Sequence, residues 1–218
     1  TFNHSMSPPT AANTDPETGE ITALAVVPRP LQQPHPPLWQ VIDTPPSIQF
    51  AAQNDLKGMF WIPPTDAMAP RFEMYRDAAS VARGQEVEMG EGVALVRDLF
   101  VTETMEEAER LGGPGMLTYL EWVCHFRGLG NHLYPGEELP DTIGNLDLLT
   151  YEWLHPRNML FGTADYVAEQ IQEMKEKLNL QSLLVWSNFP GMDQRAVMDS
   201  VQRFTEDVMP QFAEENNS

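Results

Sequence analysis

Val93-Ala-Leu-Val-Arg-Asp-Leu-Phe-Val101, followed two residues later by Thr104-Met-Glu-Glu107, decides how this 218-residue chain is read. The first stretch is apolar everywhere except Arg97 and Asp98 and shows little alternation. That pattern suits a strand covered on both faces, as in a parallel sheet. The second is a capping-box pattern, in which the Thr104 hydroxyl serves the amide of Glu107 and Glu107 reaches back to the amide of Thr104. A buried strand thus leads through a short loop into a helix.

The same grammar repeats on either side. Leu38–Ile42 is a short apolar run, closed by Asp43-Thr44-Pro45-Pro46-Ser47 and followed by a helix-compatible piece from Ser47 to Asn54. Gly58–Ile62 is a second strand candidate. Pro63-Pro64-Thr65-Asp66 then opens a helix over Ala67–Ala82, with Met68, Phe72, Tyr75, Ala79 and Ala82 spaced along one face. Further on, Thr163 can cap a helix over Ala164–Leu178 with a stripe of Val167, Ile171, Met174 and Leu178. Asp165 in its first turn and Lys175 and Lys177 in its last suit the helix dipole. Ser182–Ser187 is the fourth strand. A helix over Ala196–Val208 follows, with Val197, Val201, Phe204 and Val208 on one side and Pro210 ending it.

Strand, loop and amphipathic helix in repetition predict an α/β fold with a parallel sheet. The rhythm is interrupted over residues 117–161, an excursion expected to act as a lid or substrate loop. Inside it, Leu117–Phe126 reads as a helix, Gly and Pro residues follow, and Leu146–Leu154 is apolar. Just before it, Gly112-Gly113-Pro114-Gly115 reads as a hinge or turn.

The first 46 residues hold ten of the 19 prolines. Residues 1–37 are expected to form an extended lead-in, with a possible strand at Ile21–Val27 and a polyproline-II connector after it. Residues 38–212 form the folded part and 213–218 a tail. Asp and Glu total 32 against 13 Lys and Arg, a net charge of −19. Such a surface repels phosphate backbones and anionic lipid, which argues against nucleic-acid and membrane partners. No apolar run approaches the roughly 18 residues that span a bilayer. Cys124 is the sole cysteine, so no internal disulfide or CxxC motif exists. The first 20 residues lack a basic start and an apolar core, so no signal peptide is expected and a cytoplasmic location fits. Thr1 is not an initiator residue, which fits a start inside a longer protein.

Two places carry candidate chemistry. At Asp43–Ser47 a strand ends, two prolines fix the turn and a helix begins. Thr44 and Ser47 can hold a phosphate at that helix N-terminus, or Thr44 can simply cap the helix with Pro45 in its first position. Trp186, with Ser187-Asn188-Phe189-Pro190-Gly191, follows the last strand. It reads either as a rim aromatic in a turn or as a ligand contact at the strand ends. Gly162-Thr163 offers a weaker helix N-terminus of the same kind. His4, His35, His125, His132 and His155 form no HxH, HxxxH or HExxH motif, so no metal site is predicted. His125, His132 and His155 lie in the excursion, where each reads as a surface or rim histidine or as a proton-transfer group. No GxSxG, GxxxxGK[ST] or GxGxxG motif occurs.

In order along the chain, four stretches resemble the luciferase-like flavin oxidoreductases. They are Val27–Trp39 with Pro45-Pro-Ser47 and Ala51-Ala52, then Arg97–Val101 with Thr104–Ala108, then Gly162-Thr-Ala-Asp-Tyr-Val-Ala-Glu169, then Phe204–Pro210. Ala164 stands where that family usually has proline. The resemblance runs from Val27 to Phe212. It implies a (β/α)8 barrel of TIM type that binds reduced FMN, or coenzyme F420 in one branch. The implied activity is that of a monooxygenase acting with O2 on a small organic substrate, with a flavin reductase as electron donor.

Asp43, Thr44, Ser47 and Trp186 become the cofactor-binding candidates, with the corner at 43–47 near the flavin phosphate. The catalytic residues are left unknown, since in that family the N-terminal units normally carry them. Only about four βα units can be placed, so the chain is expected to be the C-terminal half of such a barrel. It would need a complementary half-barrel or a second copy, and the isolated chain would be incomplete as a catalyst. The rival expectation is a non-catalytic barrel subunit or fragment that pairs with a catalytic chain.

Overall fold

The computed structural model of the protein describes residues 13–22, 28, 30–139 and 145–213. It divides into two compact units, Thr1–Leu38 and Trp39–Ser218. In the first, an antiparallel bridge joins Thr14 to Ile21. The turn between them is held by the Asp15 carboxylate, which accepts from the amides of Glu17 and Thr18 at 2.8 and 2.9 Å. The expected strand at Ile21–Val27 and the lead-in before residue 13 lie largely outside the described residues.

The second unit is built on five parallel strands: β1 (Trp39–Val41), β2 (Lys57–Phe60), β3 (Val93–Val101), β4 (Met159–Gly162) and β5 (Leu183–Trp186). The helices are α1 (Pro45–Gln53), α2 (Ala69–Arg83), α3 (Met105–Arg127), α4 (Tyr151–Asn158), α5 (Ala164–Leu178) and α6 (Gln194–Arg203).

β3 is the axis of the sheet. The Leu95 amide donates to the Ser182 carbonyl at 3.1 Å, whereas the Gly58 amide reaches Gly92 at 2.9 Å and the Thr102 amide reaches Gly162 at 2.8 Å. Successive backbone groups of a strand point to opposite edges, so one edge of β3 serves β5 and the other serves β2 and then β4. β4 therefore continues the line of β2. Asn158, one residue before β4, fits this by donating its side-chain amide to the Ile62 carbonyl at 3.1 Å. The spatial order is β1-β2-β3-β5, with β1 and β5 each paired along one edge only among the described residues.

Side chains alternate between the two faces. On one face Phe60, Leu95, Leu99, Val101 and Leu160 are buried with Ile48, Phe72, Tyr75, Val167 and Ile171 of α1, α2 and α5. Phe60 stacks on Phe72 at 5.3 Å, and a fully buried side chain of this size contributes about 1.5–3 kcal/mol. The other face is covered only in part. Around Phe100 and Phe161 it packs against Met116, Leu120 and Val123 of α3. Elsewhere on it, Val41 and Leu184 remain 53% and 42% exposed. This is an apolar surface without a covering layer among the described residues.

The predicted elements at Val93–Val101 and Ala164–Leu178 match the structure to the residue, and all four stripe residues of α5 are buried. Thr104 caps α3 as read, accepting from the Glu107 amide at 3.1 Å, but Glu107 reaches back to Glu103 rather than Thr104, at 3.3 Å. Ala82 is exposed, so the α2 stripe ends at Ala79.

Three expectations are corrected. Gly112-Gly113-Pro114-Gly115 is no hinge but lies inside the 23-residue α3. A Cβ on Gly112 would sit 2.8 Å from both Phe100 and Phe161, and one on Gly115 would sit 2.8 Å from the Pro190 carbonyl oxygen. The small residues let α3 approach the sheet closely, and that packing outweighs their poor helix propensity. Residues before Thr163 form strand β4 rather than a loop. The last helix starts at an Asp193 cap, changes to a π turn at Phe204–Val208, and passes Pro210 in a 3-10 turn that ends at Phe212.

Gly90 and Gly84 both have positive φ, at 84° and 65°. A Cβ on Gly90 would lie 2.0 Å from the Asn179 carbonyl oxygen, whereas one on Gly84 meets nothing within 4 Å. Gly84→Ala is expected to cost about 1–2 kcal/mol from backbone strain alone. Gly90→Ala should cost roughly 3 kcal/mol or more, because a backbone carbonyl must also move. Urea denaturation of the two variants checks the difference, and equal losses would contradict the close approach.

Candidate functional site

Ligands of parallel α/β sheets bind beyond the carboxyl ends of the strands, where loops of several units converge. Here that end carries Asp43 after β1, Trp61 after β2, Asp98 on β3 and Trp186 at the end of β5. Asp98 and Trp186 are partners in register and so share a face of the sheet. α3 lies over this face. Tyr119 contributes its ring to the wall, with centroids 6.0 Å from Trp61 and 5.3 Å from Trp186. Trp61 and Trp186 stack at 6.0 Å, and Phe189 closes the group at 6.5 Å from Trp186. The Trp186 indole N–H is anchored on the Asn188 carbonyl at 3.1 Å, and the residue is 44% exposed.

Asp98 stands behind this wall, 1% exposed, with neither carboxylate oxygen hydrogen-bonded. Burial pushes its pKa up to about 7 against the opposing pull of Arg97 and Trp61. The Trp61 indole N–H is also buried without a completed hydrogen bond. Arg97 turns to the opposite face, where its guanidinium donates to the Pro63 carbonyl at 2.8 Å and the Val96 carbonyl at 3.1 Å. Sequence reasoning singled out neither Asp98 nor Trp61 as a site residue. The available signal was a carboxylate, beside Arg97, inside an apolar strand, a costly placement unless it is paired or used.

The Asp43–Ser47 corner is a tight capping arrangement. The Ser47 hydroxyl oxygen accepts from the Thr44 amide at 3.1 Å and the Asp43 amide at 3.3 Å, and donates to the Thr44 carbonyl at 2.8 Å. The Thr44 hydroxyl donates to Ser47 Oγ at 3.2 Å. Pro45 and Pro46 have no N–H, and the Ile48 amide is used by the Thr44 carbonyl at 3.0 Å. The corner therefore offers an anion fewer backbone donors than an ordinary helix start.

Its charge is balanced by a residue that sequence reading did not find. Arg127, at the end of α3, pairs with Asp43 at 3.2 Å. Tyr119 and Arg127 are eight residues apart, about 12 Å along a helix, so α3 touches both the ring wall and the corner. No hydrogen bond, ion pair or ring contact joins Trp186 directly to residues 43–47 among the described residues.

The excursion histidines divide. His125 meets the edge of Phe126 on α3. His155 contacts the Phe161 carbonyl at 2.6 Å and lies between Tyr151 and Tyr166. His132 is wholly buried with its Nε2 3.5 Å from the Cys124 sulfur. Burial, with Arg157 nearby, pulls its pKa down to about 4, and burial pushes the Cys124 thiol up to about 11. The pair is neutral near pH 7, which makes Cys124 a poor nucleophile. No group of three or more His, Cys, Asp or Glu suited to a metal occurs among the described residues. No described helix is long and apolar enough to cross a membrane.

This architecture is shared with solved flavin enzymes. A monooxygenase of Streptomyces bottropensis superposes with a TM-score of 0.66 at 20% identity, over 86% of this chain and 51% of its own. The oxygenating constituent of 3,6-diketocamphane monooxygenase from Pseudomonas putida, solved with FMN, gives 0.65 at 22% identity, over 81% and 49%. The fold is that of the luciferase-like flavin monooxygenases. A coenzyme F420-dependent reductase of Methanopyrus kandleri has a more distant likeness, with a TM-score of 0.56 at 13% identity. By sequence, the chain is 24% identical over 193 residues to the oxygenase component of a flavin-dependent trigonelline monooxygenase from Acinetobacter baylyi. That match covers 86% of this chain and 51% of the relative, so the chain spans about half the length of the curated relative it matches. No family model matches the chain.

His132 generates a pH prediction. Its folded pKa lies below the unfolded value near 6.5, so the unfolded chain binds the extra proton between those values. Stability attributable to His132 is present above pH 6.5 and lost as pH falls towards 4. The full effect is on the order of 3 kcal/mol as an upper bound. In urea melts at pH 7 and pH 5, His132→Asn is expected to lose less stability on acidification than the unsubstituted protein. An identical slope would contradict the buried neutral imidazole.

Proposed function

We propose that this chain supplies the C-terminal βα units and the lid of a flavin-dependent monooxygenase of the luciferase-like kind. It would act with O2 on a small organic substrate. The observation that carries this reading is the mouth itself. Aromatic rings from the end of β2, from β5 and from α3 converge over a carboxylate that completes no hydrogen bond, at the end of the sheet where such folds take ligands. The FMN complex of the Pseudomonas putida fold relative and the sequence likeness to an oxygenase component support a reduced FMN cofactor delivered by a separate flavin reductase. Coenzyme F420 is the alternative, supported by the Methanopyrus kandleri relative.

The residues fit such a cofactor in part. The ring wall and the orphaned Trp61 N–H suit a flat heteroaromatic system. Arg127 and the hydroxyls of Thr44 and Ser47 suit a phosphate, while Pro45 and Pro46 limit the backbone donors beside them. When bound, flavin would supply the redox chemistry. This chain's own residues bind, orient and exclude water, with α3 and the excursion as the cover. The exposed edges at β1 and β5 and the apolar face at Val41 and Leu184 suit a complementary half-barrel or a second copy.

The donor-poor corner favours a second reading, a non-catalytic barrel partner that stabilises a catalytic chain. Flavin titration separates the two. In the first reading the protein, assembled with whatever completes its sheet, binds FMN more tightly than riboflavin. Thr44→Ala with Ser47→Ala would then weaken FMN about tenfold and leave riboflavin unchanged, read by flavin fluorescence. The same pair of changes should destabilise the ligand-free protein by about 1 kcal/mol through the lost cap. Equal affinity for FMN before and after substitution would remove the corner from the site. Absence of flavin binding in the assembled protein would favour the second reading.

A further inference from the structure

Asp98 has a feature that neither packing nor the flavin phosphate explains. Neither of its buried oxygens completes a hydrogen bond, the Trp61 indole N–H being the one donor that acts on it, and it lies on the same face as a wall of three ring systems. A buried carboxylate left unpaired costs stability, and an apolar residue of similar size would serve packing better. The nearby cations do not satisfy it. Arg97 is turned to the far face with carbonyl partners, and Arg127 is paired with Asp43. The mouth behind the rings is therefore acidic and aromatic, a combination that attracts flat rings carrying positive charge or N–H donors and disfavours anions.

We propose that Asp98, with Trp61, Tyr119 and Trp186, forms a recognition subsite for a heteroaromatic ring that presents a cationic nitrogen or an N–H to the carboxylate. The ring stacks against Trp61 and Trp186. The inference deepens the reading of the mouth as a ligand site and rests on it. Two sources share this chemistry, the organic substrate and the ring edge of the flavin.

The experiment uses the full chain with Asp98→Asn and Asp98→Leu, N-methylpyridinium and lumiflavin as probes for the two sources, and calorimetry as readout, with thermal unfolding alongside. FMN titration of the unsubstituted protein reports on the flavin reading separately. At pH 8, Asp98→Asn is expected to weaken one of the two probes at least tenfold. Loss of N-methylpyridinium assigns the subsite to the substrate, and loss of lumiflavin assigns it to the cofactor. Both Asp98 variants should melt at or above the temperature of the unsubstituted protein, because the carboxylate is kept for a ligand and not for packing. Binding of neither probe, equal binding by Asp98→Asn, or lower melting temperatures in both variants would overturn the proposal. FMN binding that persists in those cases leaves the flavin reading standing.

Discussion

Everything in the larger unit hangs on the two hydrogen-bonding edges of β3. One edge is shared in sequence by β2 and β4, which meet it at Gly58–Phe60 and Met159–Gly162, and the other carries β5. Nine residues are enough for this because β2 is only four residues long and leaves half an edge free. The excursion returns into that vacancy. Its path is thereby tied to the sheet rather than left as a free loop, and α3 can rest across the strand ends with Tyr119 in the ring wall and Arg127 over the first corner.

Much of this was legible in the residues. The unalternating Val93–Val101 run and the four-three spacing of Val167, Ile171, Met174 and Leu178 are strong local signals that tertiary contacts reinforce. What failed had a common cause. Gly112–Gly115 carries turn chemistry locally, yet its lack of side chains is what the rings of Phe100 and Phe161 require from a neighbouring helix. Met159–Gly162 is too short to read as a strand, and it becomes one only because β3 offers it an edge. In both cases the deciding partner is about 12 to 61 residues away in sequence, beyond the reach of periodicity.

The candidate site was legible at its borders and not at its centre. The Asp43–Ser47 corner and Trp186 stand out because turns and strand ends have recognisable chemistry. Asp98 and Trp61 sit inside or just beyond apolar stretches, and only the fold shows that their polar atoms are buried near one another without completing a hydrogen bond. The corner also illustrates how a motif can be read two ways. Prolines that fix the start of α1 remove the amide donors that would make the same start a strong anion site.

The unpaired carboxylate also bears on the choice between a catalytic chain and a silent partner. Both readings are served equally by open edges at β1 and β5 and by an apolar face awaiting cover. They differ at the mouth. A subunit kept only to close a barrel gains nothing from a carboxylate held in an aromatic enclosure at a pKa of about 7, since Asn or Leu would fill the same space without the desolvation penalty. A ligand-binding subunit does gain, because a group that is poorly solvated in the empty site is the one that interacts most strongly when a donor arrives. The cost borne at Asp98 therefore weighs towards a mouth that still takes a ligand.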